Sequence, residues 1–486
     1  MKSLRLYYSS SSTCLILLLH IFSFSVSSNT TVDREKFDSL LQLPHSGSTR
    51  TRLRSKRALF LGDFGAKGDG ITDDSKAFKN AWEVACSIPT RTRILIPSGR
   101  TYLIHPVDIA GPCRSKVTLM ISGTIIAPIS PDAWIGLNPR KWLYFHGVNH
   151  LTIEGGGTVD GMGQEWWARS CKTNSTNVFH VDMLQRLGPF AFFVLHFTRI
   201  LALDDFIALI SNTFQAITFH RCKTLKVRNL MIVNSQKMHM AFTNCIRVVA
   251  SHLQVIAPAT SPNTDGIHIS VSKGVQVKDS IIRTGDDCIS IVSNSSRIQI
   301  VNIVCGPGHG ISIGSLGKSN SWSQVRDVII DTALLSNTDN GVRIKTWQGG
   351  SGFASNTAFH NVVMDNVSNP IIIDQYYCDS QLPCLNQSLA VKVENISFTH
   401  IKGTSATEEA IRFACSDDSP CEGLYLEDVQ LLPSTGEIAR SFCWEAQGSS
   451  LGIVDPPACF SDSEEFVKQK ILLHPVSLVY GGKATL

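Results

Sequence analysis

The stretch "GVQVKDSIIRTGDDCISIVSNSSRIQIVNIVCGPG", Gly274–Gly308, consists of short β-branched runs broken by Gly, Asn and Ser. Its form is an apolar-x-apolar group, one or two polar residues, then another apolar group. The same form appears upstream in "LKVRNLMIVNS" and "IRVVASHLQVIAP", and downstream in "VIIDTALLSNT", "FHNVVMDNVSN" and "VKVENISFTHIKG". Aligning Asn229, Ser251, Ser280 and Asn302 gives a period of roughly 22 to 28 residues, which is solenoid spacing. A four-strand blade repeat is not visible and hairpin turns are scarce, so propeller and immunoglobulin-like arrays fit poorly. One segment has helical periodicity, "DDSKAFKNAWEVAC", Asp73–Cys86, with Ala77, Phe78, Ala81, Trp82, Val84 and Ala85 on one face. Solenoids need their ends covered, and this segment suits that task. The expected fold is all-β: a single right-handed parallel β-helix with a short N-terminal capping helix.

The chain has 486 residues, 43% of them hydrophobic, and a formal charge of +4, too small for a nucleic-acid-binding signature. "MKSLR" followed by the apolar "CLILLLHIFSFSV", Cys14–Val26, and small residues reads as a secretory signal over 1–28. It is too short for a membrane span, which needs about 20 apolar residues. Residues 29–57 read as a linker or propeptide ending in the basic "TRTRLRSKR", Thr49–Arg57, and 58–486 as the folded domain. Export implies disulfides, and it gives meaning to six sequons, at Asn29, Asn174, Asn294, Asn366, Asn386 and Asn395. Of 14 cysteines, one leaves with the signal, so the mature count is odd. Short spacings suggest Cys288–Cys305, Cys378–Cys384, Cys415–Cys421 and Cys443–Cys459, with Cys86–Cys113 also plausible; Cys171, Cys222 and Cys245 lack obvious partners. The block Val178–Gln215 breaks the rhythm, being rich in Phe and Leu, without Gly/Asn turns and interrupted by Arg199 and Asp204–Asp205. It reads either as a helical insertion over a groove or, preferentially, as translated non-coding sequence.

Residues one coil apart in a parallel β-helix stack at about 4.8 Å. "SPNTDGIHIS" carries Asp265, "RTGDDCISIV" carries Asp286 and Asp287, and "GPGHGISIGS" carries His309, each about one coil after the last. "NGVRIKTWQGG" adds Arg343 and Lys345 a longer coil later. Each cluster sits at the mouth of an "I-x-I" strand, so three carboxylates and an imidazole should share one face. Any one of these alone reads more simply as turn chemistry or a solvated strand face. Together, at coil spacing, they point to a site. Crowded carboxylates split their pKa values, and glycoside hydrolysis needs such a division between an acid and a base. Two cations nearby imply an acidic polysaccharide, with Arg343 able to pair a carboxylate bidentately and Lys345 to supply a point charge. This chemistry requires no cofactor and no metal ion.

The set "SPNTDG", "GDDC", "GHGISIGS" and "RIK" resembles the motifs of the polygalacturonases, glycoside hydrolases acting on the homogalacturonan of pectin, and "DFGAKGDGITDDSKAFKNAW" resembles the opening of their plant members. The resemblance runs from about Leu59 to the C-terminus, apart from the Val178–Gln215 block. It implies Asp286 as general acid, Asp265 and Asp287 as the pair activating water with inversion, and His309 as support for the acid's protonation. It further implies that Asn263 lines the site, that Arg343 and Lys345 hold galacturonate carboxylates, and that Tyr377, with Tyr376 as the other candidate, binds substrate. A secreted, monomeric cell-wall hydrolase of α-1,4-galacturonosyl linkages is therefore expected. The alternatives are a pectate lyase acting by β-elimination, against which His309 in "GHG" argues, and a non-catalytic pectin-binding wall protein. The resemblance also implies a short link after "SCK" with a cysteine to partner Cys171, which this chain lacks.

Overall fold

The computed structural model describes residues 58–460, apart from 136, 139–140, 171, 173–214, 380–382, 435 and 437. The expected signal and linker, Cys171, and all of the Val178–Gln215 block except Gln215 lie outside the described residues. Gln215 itself opens a regular strand, Gln215–His220, and so belongs to the repeating fold.

Two parallel sheets run the length of the described chain. The smaller, which carries the site, has eleven strands in sequential order. They are β1 (Val107–Ala110), β2 (Leu143–His146), β3 (Gln215–His220), β4 (Met238–Thr243), β5 (Ile267–Ser270), β6 (Ile289–Ile291), β7 (Ile311–Leu316), β8 (Asn340–Trp347), β9 (Asn369–Tyr377), β10 (Glu409–Ala414) and β11 (Arg440–Trp444). The larger sheet holds long strands such as Lys273–Arg283, Ser295–Cys305 and Trp322–Ser336, each pairing in parallel with the next. This is the expected parallel β-helix; from Lys223 onward each coil gives one long strand to the larger sheet, whereas in the first coils two short strands, such as Leu151–Glu154 and Thr158–Asp160, take that place.

The "I-x-I" pattern explains the register. Ile267 pairs with Ile289 and Ile289 with Ile311, while Ile269, Ile291 and Ile313 form a second row. All six are fully buried. Because side chains alternate along a strand, the intervening residues must face outward, and a slip of one residue would expose both isoleucine rows. Stacked Phe145, Phe219 and Phe242, at centroid spacings of 5.2 and 5.5 Å, extend the core through β2, β3 and β4.

The repeat alignment needs one correction. Arg228 pairs with Ser251 and Ser251 with Lys278, while Ser280 pairs with Ile303. The column through Asn229 and Asn302 therefore contains His252 and Asp279, not Ser251 and Ser280. All four residues have φ between 50° and 57° and bend the long strands at the same height. Asn, Asp and His tolerate this left-handed conformation better than other side chains with a Cβ, which is why polar residues occupy the column. Asn302 Nδ2 also donates to Asp279 Oδ1 at 2.9 Å, one coil below.

The predicted helix is present as α1 (Ser75–Ser87) and buries Ala77, Phe78, Ala81, Trp82 and Ala85. Val84, assigned above to that face, is 40% exposed; its helical angle carries it round toward solvent. Trp82 stands edge-on to Phe145 at 5.8 Å and donates Nε1 to Ala110 O at 2.9 Å, which seats the helix on the first coils. The Cys86–Cys113 disulfide ties it there, and the other four expected disulfides are also formed. Cys222 and Cys245 are buried free thiols. Asn294, Asn366, Asn386 and Asn395 are exposed, while Asn29 and Asn174 lie outside the described residues. Among the described residues, no helix is long and apolar enough to cross a membrane.

Candidate active site

The turns entering β5, β6, β7 and β8 lie side by side, and backbone contacts fix them to one another. Gly266 N donates to Asp287 O at 2.9 Å, His309 N to Asp286 O at 2.9 Å, and Asp339 N to Gly308 O at 3.0 Å. In "SPNTDG", Ser261 Oγ and Thr264 Oγ1 are 2.7 Å apart, and Thr264 Oγ1 accepts Gly285 N from the next coil at 2.9 Å. Gly285 is required for proximity: a Cβ there would sit 2.0 Å from Ser261 O. The tight stacking of these turns brings Asp265, Asp286, Asp287 and His309 together, as their spacing predicts.

The three carboxylates have different surroundings. Asp286 is partly exposed, its side chain 14% accessible, with three donors around it: Asn263 Nδ2 at 3.3 Å from Oδ2, and the Asp287 amide at 2.7 Å and His309 Nδ1 at 3.1 Å from Oδ1. Burial opposes its charge, but the hydrogen bond and charge of His309, the charge of Lys345 and the Asp287 amide hold it well below the usual carboxylate range. Asp265 is buried, and Ser290 Oγ donates to its Oδ2 at 2.8 Å. Desolvation, then the charges of Asp286 and Asp287, push its pKa up to about 8. Burial thus favours the protonated form of Asp265, whereas its donors favour the ionised form of Asp286, the acid implied by resemblance.

Asp287 is deeply buried between two cations. Arg343 Nη2 lies 2.7 Å from Oδ1 and Lys345 Nζ 2.8 Å from Oδ2, and Ser312 Oγ donates to Oδ1 at 2.7 Å. Arg343 and Lys345 thus reach the site as expected, but in the free protein they pair with Asp287. Tyr377 stands beside them, its ring centroid 5.3 Å from Lys345 Nζ and 5.4 Å from the Trp347 ring. Tyr376 turns away and donates its hydroxyl to Asp417 at 3.2 Å, which leaves Tyr377 as the tyrosine at the site.

His309 bridges two acids, with Nδ1 3.1 Å from Asp286 and Nε2 3.3 Å from Asp339. Burial alone would favour loss of its proton. The hydrogen bond to Asp286, with the charges of Asp286, Asp287 and Asp339, overrides that and lifts the imidazole above its usual pKa. Asp286, Asp287 and His309 each bring a donor atom within 4.8 Å of the others, a spacing that could hold a cation. Both nitrogens of His309 and both oxygens of Asp287 already have protein partners, so the donors of that cluster are engaged.

Four contributing residues went unnoticed in the sequence: His268, Ser290, Ser312 and Asp339. The first three, with Arg343, are the outward x of successive "I-x-I" strands and stand in register. They link to the acids in order, His268 Nδ1 to Ser290 Oγ at 2.8 Å, Ser290 to Asp265, and Ser312 to Asp287. Reading the x of each motif as a column would have found them.

The sequence profile of Glycosyl hydrolases family 28 matches residues 86–185 and 209–445. The chain belongs to that family. Its family 28 match leaves out 186–208, within the block that breaks the solenoid rhythm. A sequence from Arabidopsis thaliana described as a probable polygalacturonase is 56% identical over 460 residues, covering 94% of this chain and 96% of that one. A polygalacturonase of Persea americana is 46% identical, covering 78% of this chain and 75% of the relative. Among solved structures, an exopolygalacturonase from Thermotoga maritima superimposes with a TM-score of 0.62 at 19% identity, covering 86% of this chain and 95% of that one. At that identity the likeness concerns the fold of this family 28 chain alone.

Proposed function

We propose that this family 28 chain is a polygalacturonase, hydrolysing α-1,4-galacturonosyl linkages of homogalacturonan with inversion at the anomeric carbon. The relatives' descriptions support the substrate class. The observation that carries the chemistry is the convergence of Asp265, Asp286 and Asp287 from consecutive coils, with His309 hydrogen-bonded to Asp286, the most exposed of the three carboxylates. Asp286 acts as general acid. It draws its proton from His309 Nδ1, the donor 3.1 Å away, when the departing sugar oxygen gains charge. Asp265 and Asp287 flank the attacking water, with Asp265 oriented by Ser290 and Asp287 by Ser312, Arg343 and Lys345; the water's proton passes to Asp287, since burial favours the protonated form of Asp265. Asn263 and Tyr377 line the sugar site. Arg343 and Lys345 exchange part of their hold on Asp287 for the carboxylate of a bound galacturonate, which makes an unbroken uronate run the preferred ligand.

A second reading exchanges acid and base, and the proton on buried Asp265 favours it. The greater exposure of Asp286 and its contact with the imidazole favour the first. The signal-like N-terminus, five disulfides and exposed sequons support secretion to the cell wall, and action as a monomer is part of the proposal. The test is reducing-sugar release from polygalacturonate without a rise in ultraviolet absorbance. Lyase chemistry would produce that rise, and a wall-binding protein would release no sugar. Asp286→Asn should lose about 10²–10⁴-fold in rate.

A further inference from the structure

We propose that Asp339 is a positioning residue for the reaction, holding His309 in its doubly protonated form with Nδ1 aimed at Asp286. This rests on the roles given above to His309 and Asp286. A neutral imidazole offers one donor and one acceptor, whereas a carboxylate only accepts. His309 faces a carboxylate oxygen at each nitrogen, Asp286 Oδ1 at 3.1 Å and Asp339 Oδ2 at 3.3 Å. Only the imidazolium satisfies both. With Asp339 removed, the ring could serve Asp286 as a neutral tautomer and its charge would no longer be required.

The backbone keeps the two residues opposed. Asp339 N donates to Gly308 O, and Asn369 N and Nδ2 both donate to Asp339 O, so the turn is fastened on both sides. Asn340 Nδ2 reaches His309 O at 3.4 Å. Gly310, at φ +85°, lets the turns close, since a Cβ there would lie 2.0 Å from Asn340 O. The charged groups facing His309 are Asp286 and Asp287 from the turn before β6 and Asp339 from the turn before β8. Arg343 and Lys345 lie beyond, on Asp287, and Asp265 lies behind Asp286. The Asp339 side chain is 72% exposed, and the His309 side chain 36%. Its leverage on the imidazole is the modest one of an exposed ion pair.

The test compares Asp339→Asn and Asp339→Glu with the unaltered protein across the pH profile on polygalacturonate, together with an NMR titration of the His309 ring. The expected result is a downward move of the alkaline limb of kcat by about half a pH unit in Asp339→Asn. The His309 titration should move with it, KM should stay within about twofold, and Asp339→Glu should restore both. An unmoved limb with an unmoved His309 titration would overturn the inference, as would a rise in KM alone, which would make Asp339 a sugar contact. Failure of the underlying roles looks different: His309→Ala would then turn over as the unaltered protein does.

Discussion

Lys345 Nζ lies 2.8 Å from Asp287 Oδ2, and both side chains are nearly inaccessible, at 8% and 3% exposure. Such a pair is costly to break from one side because the remaining charge stays buried. Lys345→Met should therefore destabilise the fold by about 2–3 kcal/mol, somewhat less than a fully isolated charge because Arg343 remains on Asp287. Adding Asp287→Asn should recover part of that loss. Urea denaturation of the two single variants and the double variant checks this, and strict additivity would contradict the pairing.

Asp265 is held protonated in a position where the unfolded chain would ionise it. The folded pKa, about 8, exceeds the ordinary 3.8, so between these values the native state binds more protons and stability falls as pH rises. Asp265→Asn keeps the acceptor for Ser290 and removes the penalty. It should be more stable than the unaltered protein by up to about 4 kcal/mol at pH 7, with little difference near pH 4, while losing activity. Denaturation at the two pH values measures the difference, and an equal stability at both would sink the burial argument.

The choice of acid can be tested with a leaving group that needs no proton. On a nitrophenyl oligogalacturonide, Asp286→Asn should retain far more of its rate than it does on polygalacturonate, whereas Asp265→Asn and Asp287→Asn should be equally impaired on both substrates. Rescue of Asp265→Asn instead would assign the acid to the buried carboxylate.

The fold and the composition of the site were legible in the sequence because both rest on periodicity. The "I-x-I" rows register the coils, and coil spacing brings Asp265, Asp286, Asp287 and His309 to one face. Two kinds of information were hidden. The bend column was misplaced by one residue at Ser251 and Ser280 because a left-handed residue drops out of the pairing, so counting alone cannot locate it. The location of the resting proton depends on how deeply each carboxylate is desolvated and on which donors surround it. Nothing in "TDG" or "GDDC" distinguishes Asp265, buried over Ser290, from Asp286, ringed by three donors. Asp339 was overlooked for a related reason: its partner His309 is 30 positions away in a loop whose length departs from the shorter coils.

Asn302 tests the bend column. At φ +57° a β-branched residue is strained, and the bond to Asp279 would be lost. Asn302→Val should destabilise by about 1–2 kcal/mol, and Asn302→Gly by less. Thermal or urea unfolding of both variants decides this; a valine as stable as the glycine would contradict the role given to the left-handed column.

The central claim is that carboxylates from consecutive coils form one hydrolytic centre, with an acid on one side of the linkage and a water-activating pair on the other. Proton NMR of the reducing end as it first forms from polygalacturonate tests this most directly. The β-anomer should appear first, and the α-anomer should grow only as mutarotation proceeds. An α-anomer formed first would mean a covalent, retaining route and would contradict it.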